Sequence, residues 1–437
     1  MAYAIDLFCG AGGMSEGILQ AGFKILFSSD INEAVQITYM NRHKQLGLKQ
    51  GHDTYYYRAD IKDLTGNFIN EKISKLDIFK NKEVPQIDVI FGGPPCQGFS
   101  RAGKRDPNDP RNMLFKEYLR VIRELQPKYV VLENVGGFAD TILYDFEGIT
   151  GNIYEKECVP NILKQEFQLI NYGMLEPQLL NAADYGVPQS RNRMIIIAYK
   201  EGMKKPKYPK PTHNENNRIT LLDAIGDLIK DESIKSEYNP ILTEFQLESI
   251  KGRTPDINGI PISSEEYKNI EISNHLPLIK ERFSLFLEGE SGSQVKKRIL
   301  EKGIDLTDKP KLIEHIANKS NLSEKEIIDK FSRGDVDSKL IQLLLTKKNM
   351  RRRLSSDEPS GTVLTIPDDY ISPFENRTLT VRESARLQSF DDSFEFLGKR
   401  TTGGKRRRIE VPQYSQVGNA VPPLLAKAVA LELKKVL

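Results

Sequence analysis

The sequence predicts an α/β fold: a Rossmann-like, parallel-sheet domain with a smaller, mostly irregular second domain. Three observations carry that expectation. A short apolar stretch, residues 3–8, runs into Cys9-Gly10-Ala11-Gly12-Gly13 and then into a helical stretch, residues 14–21, that Gly22 stops. Strand, glycine turn and helix in that order make the first unit of such a fold, and the glycines let backbone approach a ligand at a helix N-terminus. Further apolar runs at 24–29, 87–91 and 128–132 are separated by helical stretches such as 33–42 and 112–125, the alternation that builds a parallel sheet. The composition then shifts, and a Lys/Pro segment at 204–211 reads as a linker. Residues 1–205, completed by 412–437, are therefore expected to form the first domain, and 206–411 the second.

Composition narrows the class. No apolar run in the 437 residues approaches the ~20 needed to span a bilayer. No basic segment precedes residue 3, so no signal peptide is expected and the expected location is cytoplasmic. Cys9, Cys96 and Cys158 make neither a disulfide framework nor a zinc spacing, so no metal is expected and the thiols stay reduced. Net charge is only +3, but basic clusters gather from residue 204 onward: Lys204-Lys205, Lys347-Lys348 with Arg351-Arg352-Arg353, and Lys399-Arg400 with Lys405 to Arg408. One such cluster reads as a solvated face; three in one region favour a polyanion partner.

The elements follow in order. The run at 24–29 ends in Asp30, about twenty residues past the glycines, where such folds hold ribose hydroxyls on an acid. After a polar, aromatic loop, Tyr55-Tyr56-Tyr57, the stretch Arg58-Ala59-Asp60-Ile61 reads as a third strand end with a second acid, Asp60, able to accept from an exocyclic amine. Two acids, without GxGxxG, GKS or GKT, suit an adenosyl ligand lacking phosphates better than a dinucleotide or a nucleoside triphosphate. Either acid alone would also serve as a cap. The fourth run, Ile87-Asp88-Val89-Ile90-Phe91, meets Gly92-Gly93-Pro94-Pro95-Cys96-Gln97-Gly98-Phe99-Ser100. Two glycines and two prolines end the strand in a tight turn. That turn lifts Cys96 off the C-terminal edge of the sheet, where open α/β folds bind ligands. Residues 101–111 are rich in Gly, Pro, Lys, Arg and Asp and read as a mobile loop able to meet phosphates.

Asn112 caps the expected helix to 125, and Pro127 closes it. The fifth strand, 128–132, ends in Glu133-Asn134-Val135. A carboxylate there shares the rim of Cys96 and Asp30, and burial would raise its pKa toward that of a general acid. A helix is expected over 155–166 and strands over 169–172 and 193–198. Arg191 and Arg193, two apart on an extended segment, project the same way, toward one ligand or along an exposed strand. Past the linker, helices are expected near 219–229, 279–287 and 323–331, a strand over 364–366 and a capped helix over 379–390. The last helix, 424–435, is apolar on one face and can return to the first domain. His213, His275 and His315 are scattered and form no constellation.

Taken in order, these motifs resemble those of the cytosine-C5 DNA methyltransferases. DLFCGAGG at 6–13 looks like the family's cofactor motif. The resemblance implies Phe8, stacked on adenine, and Cys9, Gly10, Gly12 and Gly13 as contacts to S-adenosylmethionine. Asp30 occupies the ribose position, where the family usually has Glu, with Ile31 beside it; Asp60 and Ile61 match the adenine-contacting pair. GGPPCQGFS at 92–100 is similar to the nucleophile motif, with Pro95 on the cofactor side, and RNMLF at 111–115 adds Leu114. ENV at 133–135 and QSRNR at 189–193 match the catalytic acid and arginine motifs. LTVRESARLQSF at 379–390 resembles the motif that supports the recognition domain. QVGNAVPP at 416–423 is similar to the last cofactor-side motif, through Asn419, Ala420 and Val421. The motif order is unpermuted and covers nearly the whole chain apart from the variable region. Segments near 139–158 and 399–411 look inserted, the second strongly basic.

The resemblance implies a site-specific enzyme that moves a methyl group from S-adenosylmethionine to C5 of a cytosine flipped out of duplex DNA. Its catalytic set would be Cys96, adding to C6; Glu133, protonating N3; Arg193, bonding O2; and Arg191, orienting nearby groups. Expected DNA contacts are Gln97, Ser100, Arg101, Lys104, Arg111, Arg351, Arg353 and Arg406. About 185 residues separate Arg193 from Leu379, ample for a target-recognition domain. A monomer is expected, with a restriction endonuclease as its functional companion and no membrane partner. Two alternatives stand beside this. A tRNA-methylating relative would carry a shorter recognition region, and PPCQGFS also favours DNA. A non-catalytic DNA-binding regulator would not need Cys96, Glu133 and Arg193 together.

Overall fold

The computed structural model describes residues 1–95, 113–238, 241–402 and 404–437. Strands β1 (Ala2–Leu7), β2 (Phe23–Asp30), β3 (Tyr55–Arg58), β4 (Val89–Gly92) and β5 (Tyr129–Asn134) pair in parallel in the order β3-β2-β1-β4-β5. Their burial explains the near-continuous apolar runs: a parallel sheet is covered on both faces and leaves no polar alternation. Helices α1 (Gly13–Gln20), α2 (Glu33–Gln45), α3 (Gly66–Ser74) and α4 (Leu114–Leu125) supply the crossovers. The strand order reverses between β1 and β4, which opens a crevice beyond their C-terminal ends.

The insertion near 139–158 folds as a hairpin, β6 (Ile142–Glu147) with β7 (Ile153–Cys158). Its Leu143, Phe146 and Tyr154 face inward, and Phe146 stacks on Phe115 of α4 at 5.3 Å. The helix expected over 155–166 therefore starts later, as α5 (Val159–Leu169), because residues 153–158 are consumed in strand pairing. β8 (Tyr172–Met174), β9 (Gln178–Asn181) and β10 (Asn192–Lys200) complete the sheet, with β10 antiparallel to β5. The strand expected at 169–172 thus begins at its last residue.

The second half is more helical than a mostly irregular region. Helices α6 (Leu221–Ile225), α7 (Glu232–Tyr238) and α8 (Glu244–Lys251) precede a cluster of five: α9 (Pro277–Ser284), α10 (Gly292–Lys302), α11 (Pro310–Ser320), α12 (Glu324–Arg333) and α13 (Ser338–Leu345). α6, α9 and α12 fall in the three stretches expected to be helical. Capping boxes Ser291–Gln294 and Ser323–Glu326 fix two of the starts. These helices bury Phe283, Val295, Ile299, Leu312, Ile316 and Phe331 in a core of their own. The short strands β11 (Arg352–Arg353) and β12 (Tyr370–Ile371) lie against it, whereas 364–366 form no strand.

Helix α14 (Val381–Leu387), capped by Thr380 and Glu383, leads to α15 (Arg407–Glu410), α16 (Gln413–Asn419) and α17 (Pro423–Lys434). α17 packs on α1 so closely that a Cβ on Gly17 would lie 2.4 Å from the Pro423 carbonyl oxygen. One apolar cluster joins Ala11 of the glycine turn to Leu221, Leu379, Phe390, Tyr414 and Val417, so the segments on either side of residue 412 share a core. Among the described residues no helix is long and apolar enough to cross a membrane, and no group of His, Cys, Asp and Glu could hold a metal ion.

Candidate active site

The site is built on the rim of β4 and β5. Gly92 sits over Tyr118, whose ring lies 2.4 Å from where a Cβ would stand. The Tyr118 hydroxyl donates toward the carbonyls of Ile90 (3.1 Å) and Val131 (2.8 Å), bracing both strands just below the turn. Asn134 Nδ2 donates to the Pro94 carbonyl at 3.2 Å and so ties the Pro94-Pro95 turn to β5. Cys96, the expected nucleophile, lies outside the described residues, as do Gln97, Ser100, Arg101, Lys104 and Arg111.

Glu133 stands one strand over. Its Oε2 is 3.0 Å from the Cβ position of Gly93, so the carboxylate lies against the start of the turn that leads to Cys96. The antiparallel register pairs Glu133 with Ile195 of β10, and Arg193 reaches back from the same strand. Arg193 Nε meets Glu133 Oε1 at 2.6 Å, with both side chains largely buried. Burial pushes the Glu133 carboxyl up, and the charges of Arg193 and Arg191 pull back against that rise. An acid held near two cations on a dry rim can bind a polar heterocycle and share a proton with it.

Arg191 has a different place. It is 2% exposed, and its guanidinium donates to the carbonyls of Val363 (3.2 Å) and Gly418 (2.8 Å) and toward Gln189 Oε1 (3.5 Å). It therefore fastens the approach to β10 onto Val363 and onto the residue before Asn419. Gln189, fully buried, adds bonds to Leu387, Gln388 and Val363. Its place inside QSRNR was visible in the sequence, its bridging role was not.

The glycine turn lies across the crevice. Phe8 takes a left-handed backbone (φ 58°), and Gly10 and Gly12 are also at positive φ. Gly13 has no room for a side chain, since a Cβ would lie 2.4 Å from the Val421 carbonyl oxygen. Asp30 Oδ2 accepts from Gly10 N (3.0 Å) and Oδ1 from Asn32 N (2.9 Å), which fixes the carboxylate under the turn. Cys9 is buried, and burial pushes its thiol up, so it does not compete as a nucleophile. Ile31 is exposed, whereas Ile61 turns its side chain into the core; Asp60 accepts from Lys62 N at 3.0 Å. Leu114 packs on the core at the start of α4, Pro95 is half-buried on its turn, Ala420 and Val421 line the wall beside Gly13, and Asn419 is exposed.

A residue missed by the sequence reading lies beneath this turn. Asp6 is 1% exposed, accepts from Ser15 Oγ at 2.5 Å, and is pushed up to about 7 by burial. Ser15 also bonds Tyr39, which in turn bonds Ser28, so a buried polar chain stiffens the floor. Its signal was an aspartate in the middle of an apolar first strand.

Two of the expected DNA contacts are corrected. Arg353 is buried and donates to the carbonyls of Phe286, Ser372 and Phe283 and to Asn376. Arg351 is buried over the Phe283 ring and donates to the Asp368 carbonyl at 2.9 Å. Reaching a phosphate would strip several carbonyls of the Arg353 donors, so Arg353 is a strut; Arg351 is held by its burial, the Phe283 ring and one carbonyl. Arg406 is exposed.

The profile of the family described as C-5 cytosine-specific DNA methylase matches residues 3–435. The type II methyltransferase M.DdeI of Desulfomicrobium norvegicum is 31% identical over 98% of this chain and 87% of its own length. The type II methyltransferase M1.HphI of Haemophilus parahaemolyticus is 32% identical over 98% and 85%. A solved prophage-encoded protein from E. coli, described as a candidate DNA modification methyltransferase, superposes with a TM-score of 0.62 at 23% identity, covering 100% of this chain and 99% of that one.

Proposed function

This chain belongs to the C-5 cytosine-specific DNA methylase family, and from that premise we propose that it methylates a cytosine flipped out of duplex DNA through a covalent bond from Cys96 to C6. The observation that carries this reading is the Glu133–Arg193 pair at 2.6 Å, set against Gly93 on the turn that leads into Cys96. Cytosine C5 is too weakly nucleophilic to take a methyl group directly. Addition of the Cys96 thiolate to C6 makes C5 enamine-like. Glu133 shares its proton with N3 as charge enters the ring, and Arg193 donates to O2. Loss of the C5 proton after transfer lets the C6–S bond break and frees Cys96.

The crevice fits the adenosyl part of S-adenosylmethionine. A Cβ built on Gly10 meets nothing within 4 Å, so the space over the turn is open. Asp30 accepts from the backbone of Gly10, Asn32 and Ile31, and a carboxylate with about four acceptor sites keeps capacity for a ribose hydroxyl. Phe8 offers a half-buried ring, and Asp60, Ile31 and the wall of Asn419, Ala420 and Val421 flank it. When bound, S-adenosylmethionine supplies a methyl group made electrophilic by its sulfonium.

The recognition lobe, residues 206–411, would select the DNA sequence, and Arg406 would contact phosphate. The chain would act as a monomer in the cytoplasm, protecting DNA from a companion restriction endonuclease. Transfer of a labelled methyl group to duplex DNA and to tRNA, assayed side by side, tests the reading. Label at C5 of cytosine in the duplex is expected; label confined to tRNA would point to the tRNA-methylating alternative.

A further inference from the structure

We propose that Arg352 and Glu358 form a base-reading site in the recognition lobe that takes the edge of a G·C pair in the major groove, an inference that rests on the reading of the chain as a DNA methylase. Three arginines stand in a row at 351–353, and the strand alternates them. Arg351 and Arg353 point inward and are spent on carbonyls, while Arg352 points out and is exposed. Its guanidinium makes no hydrogen bond or ion pair among the described residues, so its donor fork is available.

Arg352 faces a cavity of about 400 Å³, lined also by Glu288, Gln294, Ser355, Glu358 and Gly361. The composition of that cavity decides between phosphate and base. A phosphate site gathers cations, yet here one arginine shares the cavity with the carboxylates of Glu288, Glu290 and Glu358, Glu290 being paired with Arg298. Glu288 is held by Ser356, and Glu358 is exposed with no side-chain partner among the described residues. A guanidinium beside a free carboxylate is the complement of a G·C edge: the arginine donates to guanine O6 and N7, and the carboxylate accepts from cytosine N4–H.

The backbone around the pair is stiff and close to the catalytic strand. Arg353 N donates to the Glu290 carbonyl (3.0 Å), and Gly292 N to the Arg351 carbonyl (2.7 Å), so both neighbours of Arg352 are tied down. The segment carrying Glu358 continues into Ser360, whose N–H donates to the Pro188 carbonyl (3.1 Å) and whose carbonyl accepts from Ser190 N (2.8 Å). Thr362 Oγ1 donates to the Ser190 carbonyl at 3.3 Å. The reading site is thereby joined to the segment that ends in Arg193.

The test uses the full chain and its R352Q, R352K and E358Q variants. Bisulfite sequencing of host DNA first gives the methylated sequence; duplexes carrying each single base-pair change then measure preference. The wild type should discriminate at one G·C pair by roughly ten- to a hundred-fold. R352Q and R352K should lose most of that factor at that pair alone, with E358Q losing part of it, while S-adenosylmethionine binding is unchanged. A uniform fall on all duplexes with a shallower salt dependence would make Arg352 a phosphate contact and overturn the inference, as would an unchanged preference. A wild type that methylates no cytosine in DNA would remove the methylase reading and this inference together.

Discussion

Glu133 is held between burial, which favours its neutral form, and two guanidinium groups, which favour its anion. The net direction is upward, so the protonated acid is lost as pH rises through a value above the ordinary carboxylate range. The cysteine requires the opposite, a thiolate that forms as pH rises. Methyl transfer should therefore be bell-shaped in pH, with Glu133 setting the alkaline limb. Glu133→Gln should lower kcat by about 10²–10⁴-fold and remove that limb; a variant that is slow but keeps the limb would assign it to another group. Glu133 was legible as a carboxylate at a strand end. Its partner was not, because Arg193 reaches it only through the antiparallel register of β10 on β5. The arginines at 351–353 show the same limit: composition displays three cations, and only the strand's alternation says which are buried.

Strands β1, β2, β4 and β5 and the last helix were legible because each is punctuated by glycine, proline or an acid at its end; β3 was misplaced, since Tyr55-Tyr56-Tyr57, read as a loop, form the strand itself. The hairpin β6–β7 was not, since its inward residues Leu143, Phe146 and Tyr154 gain their burial from α4 and its neighbours, outside any local pattern. Element packing gives its own prediction at the contact of α1 with α17. A Cβ on Gly17 would meet the Pro423 carbonyl oxygen at 2.4 Å and Lys427 N at 2.5 Å. These are backbone atoms and cannot swing aside. Gly17→Ala should thus cost about 1–3 kcal/mol through overpacking, outweighing the roughly 0.5–1 kcal/mol that alanine gains over glycine in a helix. Thermal unfolding should show a lower Tm; an unchanged or higher Tm would mean that the two helices are less closely seated.

At the scale of the whole molecule, three parts meet at one strand approach. Arg191 and Gln189 bind Val363 of the second half, Gly418 beside the wall facing Gly13, and Leu387 of α14, while Arg193 two residues on pairs with Glu133. The proposed sites for sequence choice, cofactor and chemistry thereby share a common frame. On the proposed reading, that frame serves attack of the Cys96 thiol on a cytosine in DNA. Bisulfite sequencing of DNA from cells expressing the wild type or Cys96→Ser tests this most directly. C5-methylcytosine should appear at one recurring sequence with the wild type and be absent with the variant. Methyl groups on adenine N6 or cytosine N4, or C5 methylation that survives loss of the thiol, would contradict the account.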